Sequence, residues 1–536
     1  MGAGKSTVGA RLARSRGLVF VDLDEELEAA FARPIKDVFD TFGEPAFRAM
    51  EKRLLLQALS LPNRVVALGG GAVCDADSRD ALRRRARWVH LDVSFPELER
   101  RIAASGALTR PLWREPARVR ALYDARAGDY AHAPLRVDAD GPPEQVTRAV
   151  AAVLDAVPSP PPVPPPATPP TVVPVAVPGA AYDVVVGRAL TGLGARIAGV
   201  GRGPVAVLTD WNVGPLHLEP LVQGIEAAGR SVVSLTLPAG EEHKTVRPVL
   251  DSVDRLLDAG WQRSAPVVAL GGGVLGDMTG LVASLLLRGV PFIQVPTTLL
   301  AAVDSSVGGK VGVNHRTGKN LIGHFHQPTL VWTDLAYLDT LPDRELRAGL
   351  GEVVKTALIG DPELFARLEA DPTAWLARDP AVLADGVARC CRVKAAIVAE
   401  DARERGRRAV LNLGHTVGHG LEAVCGYGTL RHGEAVAIGL VAAAELGVAE
   451  GITPADLPDR LRTLLTALGL PVKAPPVQIA PLVAAMERDK KLKGDALTWI
   501  LISAIGEVDA KSTPITALPD QVDRLIERGV LEPSGG

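Results

Sequence analysis

The sequence is poor in cysteine, carries little net charge and lacks long apolar runs. Its 536 residues include four cysteines, with Cys390 next to Cys391 and with Cys74 and Cys425 isolated, so no disulfide or zinc-finger spacing occurs. A balance of 59 Lys and Arg against 62 Asp and Glu excludes nucleic-acid binding through bulk positive charge. No uninterrupted apolar run reaches the roughly 18 residues of a membrane span. The start, MGAGKST, has no apolar signal core, so we expect a cytoplasmic protein with no membrane or nucleic-acid partner.

Length and composition predict several folded domains. At 47% hydrophobic and 23% charged residues, the chain is not disordered. Its 536 residues exceed what one hydrophobic core supports. Only 13 of the 59 basic residues are lysine, so each lysine position in this arginine-rich chain is informative.

A proline-rich segment separates two parts of the chain. Residues 158–178 contain eleven prolines, a composition that favours extended polyproline II over a packed element. We predict a semi-rigid linker at residues 156–171, with a docking site for a partner as the alternative. The predicted domains are then residues 1–155, 172–340 and 341–536.

The order of apolar runs predicts an α/β fold class in both parts. LVFVDLD, RVVALGGG and RWVHLDV alternate with helical stretches in the first part, which is typical of a parallel sheet. After the linker the same alternation continues through YDVVVG, PVAVLTD, SVVSLTLP, APVVALGGG and FIQVP. From about residue 340 onward the periodicity is helical, as in LRAGLGEVVKTALIG. We therefore expect an α/β nucleotide-binding domain followed by a mostly helical domain.

GAGKST, residues 2–7, matches the second half of a phosphate-binding loop. In such loops glycine N–H groups and a lysine hold the phosphates of ATP, and a hydroxyl group holds Mg²⁺. The candidate ATP-binding residues are Gly2, Gly4, Lys5, Ser6 and Thr7, and Ser6 is also a candidate Mg²⁺ ligand. The first glycine of the full pattern would lie two residues before Met1, and no strand precedes the loop. We expect that the natural start lies upstream, because a sheet without that central strand has unpaired backbone groups.

Residues 1 to about 140 resemble shikimate kinase. The matching segments are Asp22-Leu23-Asp24, Phe47-Arg48 with Glu51, Gly69-Gly70-Gly71, Thr109-Arg110-Pro111-Leu112, and Arg126 with Tyr130, although Gly128 replaces a proline usual in that family. The resemblance implies that Asp22 acts near Mg²⁺ and that Arg110 clamps ATP. It implies a shikimate site made of Asp24, Arg48, Gly70 and Arg126. Two arginines suit a carboxylate substrate, which they bind in bidentate fashion. A degenerate, non-catalytic nucleotide-binding module is the alternative.

The second part has a glycine-rich turn typical of dinucleotide sites. Gly271, Gly273 and Gly276 in GGGVLGD follow the strand PVVAL and open a helix, although any tight strand-to-helix turn can need such glycines. Asp210 ends the strand VLTD, where an acidic group can accept ribose hydroxyls. Other polar groups follow further strands, namely Glu241, Lys244, Thr297, Thr298, Asp304, Lys310 and Lys319. Together they suit a dinucleotide and a hydroxylated, anionic small molecule.

Histidines and a glutamate in helical segments predict a divalent metal site. Glu352 lies three residues before Lys355 on one predicted helix, so the two share a face. His415 and His419 are four residues apart on another, and His432 starts a third segment. Spacing alone nominates both His415 and His419 as metal ligands.

From about residue 172 to 510 the chain is similar to 3-dehydroquinate synthase. The matching strings, in order, are GGGVLGDMTG, PTTLLAAVDSSVGGKVGVNH, GKNLIG, GLGEVVK, RRAVLNLGHTVGH, LRHGEAVAIG and RDKK. The resemblance implies that Glu352, His415 and His432 bind Zn²⁺ or Co²⁺, whereas His419 contacts the substrate phosphate with Asn412. It places around the substrate Lys310, Lys355, Lys394, Arg288, Arg408, Asn320 and one of Lys490 or Lys491. It places around NAD Asp210, Glu241, Lys244, Gly272, Gly273, Asp277, Thr297, Thr298, Asp304 and Lys319.

That family implies a redox-assisted elimination and a homodimer. The substrate would be 3-deoxy-arabino-heptulosonate 7-phosphate. The metal would lower the pKa of a ring hydroxyl, and the carbon that carries this hydroxyl would give hydride to NAD⁺. Phosphate then leaves, NADH returns the hydride, and ring opening with aldol closure gives 3-dehydroquinate. One alternative is another sugar-phosphate cyclase. The other is a metal-dependent polyol dehydrogenase, but a dehydrogenase would need fewer basic groups around its substrate. Fusion to a kinase that acts on shikimate favours a role in the biosynthesis of chorismate and aromatic amino acids.

Overall fold

The chain forms two compact units, residues 1–164 and 165–536. The computed structural model describes residues 3–31, 33–60, 64–104, 116–156, 168–426, 429–490 and 496–534.

Short strands alternate with helices in the first unit. The strands are β1 (Val19–Asp22), β2 (Arg64–Ala67), β3 (Val89–Asp92) and β4 (Leu135–Asp138). The helices are α1 (Lys5–Arg16), α2 (Leu23–Phe31), α3 (Ile35–Ser60), α4 (Ala76–Arg85), α5 (Phe95–Ala104), α6 (Pro116–Tyr130) and α7 (Pro143–Ala156). Within the described residues β1 pairs with β2 and β3 pairs with β4, both in parallel, and no ladder joins the two pairs.

A seven-stranded sheet forms the first half of the second unit. Its strands are β5 (Thr168–Val175), β6 (Tyr182–Arg188), β7 (Val205–Asp210), β8 (Val232–Leu237), β9 (Val267–Gly271), β10 (Phe292–Pro296) and β13 (Leu330–Asp334), and β11 (Lys310–His315) with β12 (Gly318–Phe325) makes a separate hairpin. The order is β5-β6-β13-β10-β9-β7-β8, parallel throughout except for antiparallel β5. Every residue of β9 and β10 is buried, as expected of parallel strands covered by helices on both faces.

The linker prediction is wrong for its last residues, because β5 begins at Thr168. β5 lies at the sheet edge and pairs with β6 alone. An edge strand tolerates proline, since the missing N–H can fall on the side without a neighbour. Residues 157–167 of the predicted linker lie outside the described residues.

Helices cover the sheet and then build the rest of the second unit. Those within the α/β half are α8 (Leu193–Ala198), α9 (Gly214–Ala227), α10 (Val246–Asp258) and α11 (Gly273–Leu285). The helical half contains α12 (Asp343–Gly360), α13 (Pro362–Ala370), α14 (Pro372–Leu376), α15 (Pro380–Glu400), α16 (His415–Cys425), α17 (His432–Ala449), α18 (Leu457–Ala467), α19 (Ile479–Lys490) and α20 (Leu518–Glu527). Short strand pairs accompany them: β14 (Pro476–Val477) with β17 (Glu532–Pro533), and β15 (Ala496–Ala504) with β16 (Glu507–Pro514).

Helix α17 is apolar because it fills the core of the helical half. It is the one described helix with the length and composition of a membrane span, but 83% of it is buried inside the protein. A core helix meets the same two criteria, so the match is weak support for a span. Its neighbours α12 and α16 pack directly against it, and this packing positions the candidate site.

Candidate active sites

A close helix crossing brings the candidate metal ligands together. Glu352 lies on α12, and His415 and His432 are the first residues of α16 and α17. A Cβ atom on Gly433 would lie 1.7 Å from the Ala348 carbonyl oxygen. Helices α12 and α17 therefore approach at a distance that only glycine allows.

The ligand atoms of Glu352, His415 and His432 lie within 4.8 Å of one another. Nε2 of His432 is 3.3 Å, and Nε2 of His415 is 3.8 Å, from Oε1 of Glu352. Glu352 is fully buried and forms ion pairs with Lys355 and His432, but neither carboxylate oxygen accepts a hydrogen bond of good geometry from the described residues. Such a carboxylate is costly unless a cation compensates it. Two imidazoles and one carboxylate fit a divalent metal with a fourth position left for substrate.

The second ring nitrogen of each histidine is already engaged. Nδ1 of His415 donates to the Leu413 carbonyl oxygen at 3.1 Å, and Nδ1 of His432 donates to Oε2 of Glu422 at 3.3 Å. These partners direct Nε2 of both rings towards Glu352, the arrangement that a metal-binding histidine needs.

The two histidines differ in protonation before any metal binds. Burial and the charge of Lys355 lower the pKa of His415 well below its usual value, so this ring is neutral. Burial also lowers the pKa of His432, but its close contacts with the carboxylates of Glu352 and Glu422 outweigh that effect and raise the pKa to about 10. A metal ion would therefore displace a proton from His432.

His419 lies beside this group without belonging to it. Its ring centroid is 5.1 Å from that of His415 and 6.1 Å from that of His432. With Glu422 and His432 it forms a second group of possible ligand atoms. Glu422 already accepts hydrogen bonds from His432 and Lys319, whereas Glu352 accepts none. This difference favours the three-helix group over the predicted pair of His415 with His419.

Two buried lysines surround Asp304 next to the metal ligands. Lys394 Nζ donates to the Asp304 backbone carbonyl at 2.6 Å and to its carboxylate. Lys355 Nζ is 4.0 Å from the same carboxylate and also pairs with Glu352. Burial favours the neutral acid, but the charges of Lys355 and Lys394 hold the pKa of Asp304 well below its usual range. Asp304 was expected beside the nucleotide, and the structure places it with the lysines expected around the substrate.

Glu404 occupies the space between groups predicted to surround the substrate. Lys310 Nζ is 2.5 Å from its Oε2, and Asn412 Nδ2 donates to its Oε1 at 3.3 Å. Arg408, only 1% exposed, donates to two backbone carbonyls at 2.9 Å each. Glu404 is not among the candidate site residues predicted from the sequence, and its backbone is left-handed, with φ 54°.

The predicted dinucleotide turn lies where the carboxyl ends of adjacent strands meet. A Cβ atom on Gly272 would lie 3.0 Å from Thr298 Cγ2, and one on Gly273 would lie 2.9 Å from Ser305 Oγ. The turn after β9 therefore touches the segment after β10. In open parallel sheets this edge is the usual dinucleotide site.

Other predicted nucleotide residues lie at the same strand ends. Asp210, the last residue of β7, accepts the N–H groups of Asn212 and Val213 at 2.8 and 2.9 Å. Thr298 accepts the N–H of Ala301 at 3.2 Å. The buried Thr297 hydroxyl has no hydrogen-bond partner among the described residues.

A polar network joins the turn to the β11–β12 hairpin. Lys244 Nζ donates to Asp277 Oδ2 at 2.7 Å and to Asn320 Oδ1 at 2.6 Å. Lys319 Nζ donates to Glu422 at 3.0 Å and lies 4.0 Å from Glu241. Asn320, predicted beside the substrate, thus lies with the nucleotide residues.

Several predicted residues lie elsewhere or cannot be placed. Arg288 is exposed after α11, and no hydrogen bond or ion pair in the described part of the chain joins it to the cluster. Lys490 ends α19, but its side chain lies outside the description. Lys491, Gly2 and Arg110 also fall outside the described residues.

In the first unit, each glycine after β2 faces a predicted shikimate residue. A Cβ atom would lie 2.9 Å from Asp24 Oδ1 at Gly69, 3.2 Å from Arg126 Nη1 at Gly70, and 2.2 Å from Arg48 Nη1 at Gly71. The glycines therefore leave room for one carboxylate and two guanidinium groups in a common space. Arg48 is also held by Glu51 at 2.6 Å.

The phosphate-loop residues lie beside the same carboxylates. Ser6 Oγ donates to Asp22 Oδ2 at 2.5 Å, which brings the two candidate Mg²⁺ ligands together. Gly4, with a left-handed φ of 80°, directly precedes α1, and Lys5 and Thr7 lie in the first turn of that helix. Burial lowers the pKa of Lys5 although Asp24 and Asp22 counteract it.

Comparisons with known proteins agree with both resemblances. A shikimate kinase model matches residues 1–155, and 3-dehydroquinate synthase N-terminal and C-terminal models match residues 234–348 and 349–492. The 3-dehydroquinate synthase of Geobacter metallireducens is 51% identical over 319 residues, which cover 59% of this chain and 88% of that protein. The chain belongs to the 3-dehydroquinate synthase family. The 3-dehydroquinate synthase of Rhodospirillum rubrum is 50% identical and aligns with 61% of this chain and 87% of its own.

Solved structures of related cyclases share the fold of the second unit, the synthase domain. A 2-deoxy-scyllo-inosose synthase with carbaglucose-6-phosphate, NAD⁺ and Co²⁺ is 26% identical, with a TM-score of 0.59 over 66% of this chain and 99% of that one. The 2-epi-5-epi-valiolone synthase of Streptomyces hygroscopicus, with NAD⁺ and Zn²⁺, is 29% identical, with a TM-score of 0.60 over 65% and 97%. The predicted fold class and the fusion of a shikimate kinase domain to a synthase are confirmed.

Proposed function

We propose that the synthase domain converts 3-deoxy-arabino-heptulosonate 7-phosphate into 3-dehydroquinate and phosphate, using NAD⁺ and Zn²⁺ or Co²⁺. The observation that carries this proposal is the group of Glu352, His415 and His432 beside the buried lysines Lys355 and Lys394. A polyol dehydrogenase would use a metal and NAD but would not need this basic cluster. Identities of 46–51% to 3-dehydroquinate synthases, against 26–29% to the other cyclases, favour this substrate.

The residues divide the work of binding. When bound, the metal would polarise a ring hydroxyl of the substrate, and NAD⁺ would take up the hydride. The turn at Gly272 and Gly273, with Asp210, would hold the dinucleotide. Lys310, Lys394 and Arg408 supply the positive charge that a carboxylate and a phosphate require. His419, next to the metal ligands, would donate a hydrogen bond to the phosphate.

Phosphate release from the heptulosonate phosphate tests the proposal. We expect release that stops with a chelator, returns with Zn²⁺ and requires NAD⁺. Glu352→Gln should lose zinc and activity together, whereas Glu369→Gln, a partly exposed surface change, should leave both intact. Release that needs neither metal nor NAD⁺ would refute the reading.

We propose that the first unit, the kinase domain, phosphorylates shikimate with MgATP in the same route to chorismate. Its support is the convergence of Asp24, Arg48 and Arg126 on Gly69-Gly70-Gly71, next to the phosphate loop. Shikimate-dependent ADP formation should vanish in Arg126→Ala, while Arg120→Ala, an exposed change on the same helix, should retain it. If the natural protein forms no ADP with shikimate, the domain is a non-catalytic module.

We further propose that the chain is a cytoplasmic homodimer through the synthase domain. Four large apolar side chains are exposed on α11 and β12, namely Leu285, Leu321, Ile322 and Phe325 at 39–49% exposure. Light scattering should give about twice the 56.2 kDa chain mass. Leu321→Lys should give monomers, and Leu250→Lys, on an equally exposed leucine of α10, should not. A monomer at every concentration would exclude the dimer.

A further inference from the structure

Glu422 connects the candidate metal group to the nucleotide hairpin. It lies on α16 with 7% of its side chain exposed. One of its oxygens accepts Nδ1 of His432 at 3.3 Å, and the other accepts Lys319 Nζ at 3.0 Å. Neither residue spacing nor the resemblance to 3-dehydroquinate synthase predicts Glu422 as a site residue.

The contact with His432 is of the kind that orients metal-binding histidines. A carboxylate that accepts Nδ1–H fixes the tautomer and the ring plane, and it makes Nε2 a better donor to a metal. The partner of His415 is a neutral backbone carbonyl, so the two imidazoles are not equivalent. The Nδ1 atom of His432 is therefore held by a charged side chain, and that of His415 by the backbone.

The contact with Lys319 extends this restraint to the hairpin. Lys319 lies at the start of β12, and its Nζ is 4.0 Å from Glu241 Oε1. Glu241 in turn accepts Asn314 Nδ2 at 2.8 Å, and Asn314 Oδ1 accepts the N–H of Asn320 at 2.9 Å. The predicted nucleotide residues of the hairpin are therefore connected, contact by contact, to the helix that begins with His415.

We propose that Glu422 is a positioning residue that holds the His432 ring for the metal and Lys319 for the dinucleotide. One carboxylate then serves two ligands, so its loss weakens both. This inference rests on the proposed metal and NAD sites.

The metal affinity of Glu422→Gln, measured in the whole 536-residue chain, is the first test. Gln keeps the size of Glu and removes the charge, and competition with a chromophoric chelator measures zinc binding without any turnover. We expect zinc affinity to fall about 10- to 100-fold. Glu445→Gln is the matched control, because Glu445 is buried on α17, pairs with Arg462 at 2.7 Å and contacts no predicted ligand.

NAD⁺ affinity separates positioning from general damage. At saturating zinc, Glu422→Gln should bind NAD⁺ several-fold more weakly, as should Lys319→Met, whereas Lys319→Met should keep wild-type zinc affinity. Wild-type zinc affinity in Glu422→Gln would overturn the inference, and so would an equal zinc loss in Glu445→Gln. If the wild-type protein itself binds no zinc, the proposed metal site fails, and the inference falls with it.

Discussion

Removing the charge of Lys355 should destabilise the metal-free protein far more than the zinc-loaded one. Lys355 is 2% exposed and its partner Glu352 is fully buried. Removing one partner of such a pair leaves an uncompensated buried charge, at a cost of about 3–5 kcal/mol. In Lys355→Met, Asp304 still has Lys394, whereas among the described residues Glu352 keeps only the protonated His432 ring at 3.3 Å, so Glu352 is the carboxylate that loses most of its compensating charge.

A bound zinc ion would replace the missing charge at Glu352. The loss should then shrink to about 1 kcal/mol, the size of an ordinary hydrogen bond. By linkage the variant should bind zinc more tightly than the wild type. A difference of about 2 kcal/mol corresponds to about 30-fold in affinity.

Denaturant titration with chelator and with zinc measures both effects. Tryptophan fluorescence reports mainly on the synthase domain, because that domain contains five of the seven tryptophans, and Trp375 and Trp499 are buried in its core. Lys473→Met is the control, since that half-exposed ion pair with Glu532 should contribute at most about 1 kcal/mol. Equal destabilisation of Lys355→Met with and without zinc, or unchanged zinc affinity, would refute the assigned role of Glu352.

Four further substitutions give three more predictions. Lys310→Arg and Lys355→Arg should each lower turnover at least about tenfold, because a planar fork does not replace a compact ammonium, and near-normal turnover in both would contradict this use of the lysine positions. Glu404→Gln should strengthen inhibition by inorganic phosphate several-fold, since it frees Lys310 of a competing carboxylate, and weaker inhibition would contradict it. Burial raises the pKa of Glu352, but Lys355 and His432 outweigh burial and lower it from 4.5 to about 2, so its stabilising effect is complete above pH 4.5 and is lost as the pH falls towards 2. In the presence of chelator, the denaturant midpoint of Glu352→Gln should therefore depend less on pH than that of the wild type between about pH 4.5 and 2. An equal pH dependence in the two proteins would contradict this prediction.

Local patterns in the sequence predicted much of the fold. Buried strands such as VVALG and FIQVP appear as continuous apolar runs, and their alternation with helices predicts a parallel sheet. The predicted linker extends too far because the prolines of β5 resemble those of a linker. A strand tolerates proline at a sheet edge, and edge position depends on the whole sheet. Its neighbour β6 pairs in antiparallel register, which composition cannot reveal.

Neighbours in sequence can diverge in space, as Lys319 and Asn320 do. Successive side chains of a strand point to opposite faces. On β12, however, Asn320 has a left-handed backbone with φ 54° at an irregular stretch of the hairpin, where Lys319 reaches Glu422 on α16 and Asn320 reaches Lys244. The strings GKNLIG and GGK indicated polar loops but gave no information on which face each residue takes.

Residue spacing alone cannot decide which of the three histidines bind the metal, because the decision depends on tertiary packing. His415 and His419 share one helix face, so a helical repeat finds them as a pair. Continued to Glu422, seven residues from His415, the same face also contains the acceptor for His432. The proposed metal ligands instead come one each from α12, α16 and α17, so a repeat within a single helix cannot identify all three. Close packing at Gly433 and the Nδ1 partners decide which nitrogens converge, and both arise only when the three helices meet.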